Sequence, residues 1–147
     1  MYGHSDRLKL EHRPNGVLVI TLDFPPTNPF EGDMHEGFVR TLEDINYDRA
    51  TKVVVLTGAG EKAFSAGGDI SEMKRQIEKP ADHIAALADS RRILHALLRL
   101  EKPLIVRLNG HAIGLGATIA LFADLCYAVE NINGWTGVGF DFNAKLL

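Results

Sequence analysis

Two apolar runs rich in β-branched residues, "VVVLTG" at 53–58 and "PLIVRL" at 103–108, each lead into a glycine-bearing loop and then a helical pattern. The first reads as a buried strand and the second as the next strand. Between them "ADHIAALADSRRILHALLRL" is long enough to be a crossover helix. Strand, helix, strand, helix with short connections predicts an α/β domain with a mostly parallel sheet.

The flanking segments fit that plan. "LKLEH" alternates, "RPNG" carries turn residues and "VLVITL" is β-branched, which predicts a hairpin. "PPTNPFEGD" reads as a loop in which Pro29 biases Asn28 toward extended backbone. A helix is predicted from Met34 to Ile45, with Phe38, Leu42 and Ile45 on one face and Glu36, Arg40 and Asp44 on others. The crossover helix is expected to bury Ile84, Leu87, Leu94, Leu97 and Leu98. A short helix should follow "AFSAGGD", and a largely apolar one should follow the loop of "HAIGLGATIALFAD". After Glu130 the period is lost, so residues 1–130 are expected to form one core and 131–147 a diverged tail.

With 147 residues, 46% of them apolar, there is material for one sizeable core. Sixteen Lys and Arg against nineteen Asp and Glu leave a net charge of −3, with no basic stretch to follow a phosphate backbone, so nucleic acid is not an expected partner. Cys126 is the only cysteine; it permits no internal disulfide or cysteine metal site and is expected to be a buried thiol. The polar start and the shortness of the longest apolar run point to a soluble, cytoplasmic protein without a membrane partner.

The glycine loops carry the chemistry. In "AFSAGGDISEM", Gly67 and Gly68 precede Asp69, a plausible N-cap with Glu72 three residues on. In "NGHAIGLGATIA", Gly114 and Gly116 flank Leu115. A parallel sheet brings such loops to one end, where two backbone N–H groups aimed at one oxygen make an oxyanion hole, each donor worth about 2.7–4 kcal/mol in a transition state. The competing reading is that both loops are packing devices. Nucleotide motifs fail on identity: "GAGEKAFS" lacks the phosphate-loop order, and Ile119 stands where G-x-G-x-x-G requires its third glycine.

From "VVVLTGAGEKAFSAGGDISEM" through "RLEKPLIVRLNGHAIGLGATIALFADLCYA" the chain resembles the enoyl-CoA hydratase/isomerase, or crotonase, family, over about Leu8 to Glu130. The resemblance implies a spiral of ββα units, assembly into homotrimers or hexamers, and an acyl-CoA thioester as substrate, with coenzyme A entering only as part of it. It implies that the N–H groups of Ala66 and Leu115 stabilise the enolate on the thioester oxygen. Ser65, Gly67, Gly68, Asp69 and Ile70, with His111 and Gly114 at the second loop, would line the acyl-CoA site, and Pro26 and Asn28 would lie nearer the nucleotide. For Asp69 a helix cap remains the alternative, as does a solvated side chain for Lys62 near a phosphate.

Thr118 stands where hydratases of the family carry a catalytic glutamate, and a hydroxyl orients water but is no general base near neutrality. The "PE" segment that supplies the other carboxylate is missing, leaving Glu130 and Asp141 as the nearest acids. His111 is either a titratable group facing the acyl chain or a packed wall, and Asp124 is expected to be a buried carboxylate bonded to backbone N–H groups. The family's chains are also longer. Two readings follow: a lyase or isomerase of hydratase/isomerase type, or a non-catalytic module that binds acyl-CoA or a partner.

Overall fold

The computed structural model describes residues 2–68, 74 and 79–129. Its "PNG" segment makes a single tight turn, Pro14–Gly16, with Asn15 in the left-handed region at φ 65°. That turn joins β1 (Leu8–Arg13) to β2 (Val17–Leu22) as an antiparallel hairpin. Strands β3 (Val53–Gly58), β5 (Leu104–Leu108) and β7 (Leu125–Ala128) then add in parallel, giving a five-stranded sheet in the order β1-β2-β3-β5-β7. In register across the middle lie Leu10, Ile20, Leu56, Val106 and Cys126. Ile20, Leu56 and Val106 are fully buried in this row.

Two elements depart from the predicted loops. "AFS" is not loop but a short strand, β4 (Ala63–Ser65), which pairs in parallel with β6 (His111–Ala112). Asn28 is not extended: it sits at φ 47°, because its backbone and side chain together hold five hydrogen bonds that outweigh the preference set by Pro29.

Helix α1 (Met34–Tyr47) buries Met34, Phe38, Leu42 and Ile45 as its spacing predicts. Each such side chain is worth about 1.5–3 kcal/mol on leaving water. Helix α2 (Pro80–Leu98) packs against α1, but its buried residues are Ile93, Ala96 and Leu97. Ile84, Leu87 and Leu98 are 68%, 50% and 71% exposed, contrary to the predicted face, and Leu94 is half-buried. At about 3.6 residues per turn, Ile84, Leu87 and Leu98 fall on the face opposite Ile93 and Ala96, turned away from the core.

Helix α3 (Leu115–Leu121) covers the second loop with Ala117, Ile119 and Ala120 turned inward. Asp124 is exposed, not buried; its carboxylate nevertheless accepts from Leu104 N–H at 2.8 Å, as a tether between β7 and β5. Cys126 is half-buried, and burial pushes its thiol pKa up. No helix among the described residues is long and apolar enough to cross a membrane. The short helix expected after "AFSAGGD" and the tail 131–147 fall outside the described residues.

Candidate active site

The two glycine loops meet, and hydrogen bonds from β4 to β6 bring them together. His111 N–H donates to the Lys62 carbonyl at 3.2 Å, and Ile113 N–H donates to the Ser65 carbonyl at 2.9 Å. A Cβ on Gly116 would lie 2.6 Å from the Ser65 carbonyl oxygen, so only glycine admits α3 at this distance. Gly67 is constrained on both counts: its φ is +76°, and a Cβ there would lie 2.6 Å from Ile113 O and 2.8 Å from Leu115 N. The space above Gly67 is therefore filled by the second loop. Gly67 therefore serves loop-to-loop contact.

Two buried asparagines hold this arrangement. Asn28 Nδ2 donates to the carbonyls of Ala59 and Ala63, both at 2.9 Å, while its Oδ1 accepts from Phe24 N–H at 3.0 Å. From β5's end, Asn109 Nδ2 donates to Gly60 O at 2.8 Å and to the same Ala63 O at 3.1 Å, and its Oδ1 accepts from Gly58 N–H at 2.9 Å. Asn109 was not singled out from the sequence, although a polar residue at the end of an apolar strand, ahead of glycine, is the signal for such a clamp. With both of its amide N–H groups and its Oδ1 engaged, Asn28 is a brace.

Ser65 is likewise committed: its buried hydroxyl donates to Asn28 O at 2.8 Å and accepts from Gly67 N–H at 3.1 Å. Residues 27–30 run alongside 66–68, with Ala66 N–H donating to Thr27 O at 2.8 Å and Phe30 N–H to Gly67 O at 2.7 Å. The first expected donor is thus already paired. Leu115 N–H, the second, has no intramolecular acceptor among the described residues, and it lies beside Gly67. Gly114 immediately before it adopts φ 55°.

Thr118 Oγ1 donates to Gly114 O at 3.1 Å, so the hydroxyl closes the first turn of α3. His111 is half-buried on β6, opposite Ala63, and Pro26 is exposed on the loop leading to Thr27. Asp69, Ile70, Glu130 and Asp141 lie outside the described residues. The structure thus brings Asn28, Ser65, Ala66, Gly67, Gly114, Leu115 and Thr118 into one cluster. What it offers chemically is a fixed amide donor, unpaired among the described residues, at a braced junction.

Known proteins share this arrangement of chain. The family model described as enoyl-CoA hydratase/isomerase matches residues 12–136. Short-chain-enoyl-CoA hydratase of Clostridium acetobutylicum is 36% identical over 116 residues, 78% of this chain and 44% of that protein. The 1,2-epoxyphenylacetyl-CoA isomerase of Escherichia coli is 32% identical over 125 residues, 83% of this chain and 47% of that protein. A crystal structure of an enoyl-CoA hydratase/isomerase from Mycobacterium paratuberculosis superposes with a TM-score of 0.79 at 30% identity, over 89% of this chain and 52% of that one. The chain spans about half the length of the curated relatives it matches. With its mixed sheet, paired glycine loops and family match over most of its length, this chain belongs to the enoyl-CoA hydratase/isomerase family and has the crotonase fold.

Proposed function

We propose that this chain binds an acyl-CoA thioester at the junction of the two glycine loops and stabilises its enolate, as part of a hydratase/isomerase-type enzyme. The observation that carries the reading is Leu115 N–H, a backbone donor without an acceptor among the described residues, fixed against Gly67 by the Ile113–Ser65 hydrogen bond. Stabilising charge at the thioester oxygen needs donors set in place before the charge develops. Leu115 satisfies that requirement directly. Ala66 N–H supplies the second donor when the ligand oxygen shares it with, or takes it from, Thr27 O. Gly68, Asp69, Ile70, His111 and Pro26 would complete the surroundings of the thioester and its CoA moiety, and homotrimer or hexamer assembly would accompany the longer form.

Thr118 favours a second reading, binding without turnover. Its hydroxyl is tied to Gly114 O, and no proton-transfer group stands at that position. The test is calorimetric titration with acyl-CoA, alongside the loss of conjugated enoyl-thioester absorbance on addition of protein. Acyl-CoA binding well above that of NAD or ATP supports the site, and equal NAD affinity rejects it. Binding with turnover assigns the enzyme; binding without turnover assigns the module. Leu115→Pro, which deletes the free N–H, should abolish any turnover by a folded chain.

A further inference from the structure

A groove between α1 and α2 shares no lining residue with the two loops. It encloses about 560 Å³, with Glu43 and Tyr47 on the α1 wall, Arg91, His95 and Arg99 along α2, and Val39 and Ala96 between them. We propose that this groove docks an acidic helical segment of a partner protein. The inference is independent of the acyl-CoA reading.

Three features of the groove carry it. Arg91, His95 and Arg99 recur every fourth residue, so they form one ladder along α2 with about 6 Å between rungs and about 12 Å end to end. Their neighbour Arg92 is spoken for, at 2.6 Å from Glu36 and 3.9 Å from Asp89, whereas Arg91 and Arg99 have no carboxylate partner among the described residues. Such a concentration of unpaired cations is notable on a chain with net charge −3. The walls are also fixed: Asn46 Nδ2 donates to Arg99 O at 3.0 Å and Asn46 Oδ1 accepts from Glu101 N–H at 2.8 Å, tying α1 to the end of α2.

The geometry selects the ligand. Carboxylates at i, i+4 and i+8 of a partner helix repeat at the spacing of the ladder. Val39 and Ala96 leave a narrow apolar floor for the helix's small side chains, and Tyr47, 81% exposed, offers a ring at the groove's edge. Glu43 on the facing wall has no cationic partner among the described residues and favours a Lys or Arg flanking the acidic stripe.

The test uses the full 147-residue chain and a fluorescein-labelled helical peptide carrying Glu at i, i+4 and i+8 with one flanking Lys, followed by anisotropy. Saturable binding is expected, weakening as salt rises, with affinity falling about tenfold or more in Arg91→Glu/Arg99→Glu and unchanged in Arg13→Glu on β1. A scrambled peptide of the same composition should bind about tenfold less tightly. If the double variant loses its circular dichroism signature, Arg91→Gln/Arg99→Gln makes the same comparison. Equal binding of the scrambled peptide, displacement by tripolyphosphate at matched charge, or undiminished binding by the variants would overturn the proposal. So would sedimentation showing that the groove instead joins two copies of this chain.

Discussion

At the scale of single residues, the candidate site depends on one carbonyl. Ala63 O accepts from both Asn28 and Asn109, which arrive from different segments of the chain. Asn109→Ala removes two donors and an acceptor at once, leaving Gly58 N–H and Gly60 O without their partner. The expected cost is about 2–4 kcal/mol, read as a lower urea midpoint at unchanged slope. Gly67→Ala should act differently. Its Cβ would force Ile113 and Leu115 away and hold a disfavoured φ, so acyl-CoA affinity should fall together with stability, the latter by about 1–3 kcal/mol. Retention of both would remove the loop junction from the site. The glycines were legible in the sequence because φ and close approach leave few other choices. The asparagines' role was not, because an amide's partners are set by chain segments 31 to 51 positions away.

At the scale of elements, the hairpin and α1 follow from local pattern: alternation, a turn that tolerates left-handed backbone, and apolar residues at helical spacing. Helix α2 misleads because it carries apolar residues on two faces. The buried residues Ile93, Ala96 and Leu97 are spaced i, i+3, i+4, with partly buried Leu100 at i+7 just past the helix, yet Ile84, Leu87 and Leu98 offer a rival stripe on the opposite face.

The N-terminal segment is held to α1 and the residues after it by polar contacts that make a testable pH dependence. Asp48 accepts from Thr51 Oγ1 at 2.6 Å, from Ala50 N–H at 2.9 Å and from Tyr2 Oη at 2.9 Å. These bonds, that from Thr51 foremost, hold its pKa down at about 2. A depressed carboxylate stabilises the fold above its unfolded pKa, and that contribution is lost as pH falls from about 4 to about 2. Asp48→Asn should flatten this part of the stability profile, measured by denaturation between those pH values. Tyr2, pushed up to about 12 first by burial and then by Asp48, acts in the opposite sense. Its contribution holds below pH 10 and disappears as pH rises through about 12, and Tyr2→Phe should erase that alkaline limb.

At the scale of the molecule, apolar side chains gather where the described chain ends. Leu121, Phe122, Leu125, Tyr127 and Val129 are 37% to 58% exposed on or beside β7. Among the described residues no strand pairs with the outer side of β7, and an open parallel edge with apolar flanks invites association. The 147-residue chain should therefore self-associate in sedimentation at rising concentration, and Leu125→Lys/Tyr127→Lys should suppress this without lowering thermal stability by more than a few degrees. The fold class was legible because apolar strands joined by a crossover helix through short connections have few architectures open to them, whereas the place of β7 at the edge of the described sheet follows from strand order, which no local pattern encodes.

The two margins of the sheet are unlike. Beside β2, β1 carries exposed Lys9, Glu11 and Arg13, with Lys9 paired to Asp23 and Arg13 to Glu11, so an incoming strand would meet charge along that side. Only hydrophobic groups project at β7. A further strand, from the same molecule or another, is therefore admitted more readily beside β7 than beside β1.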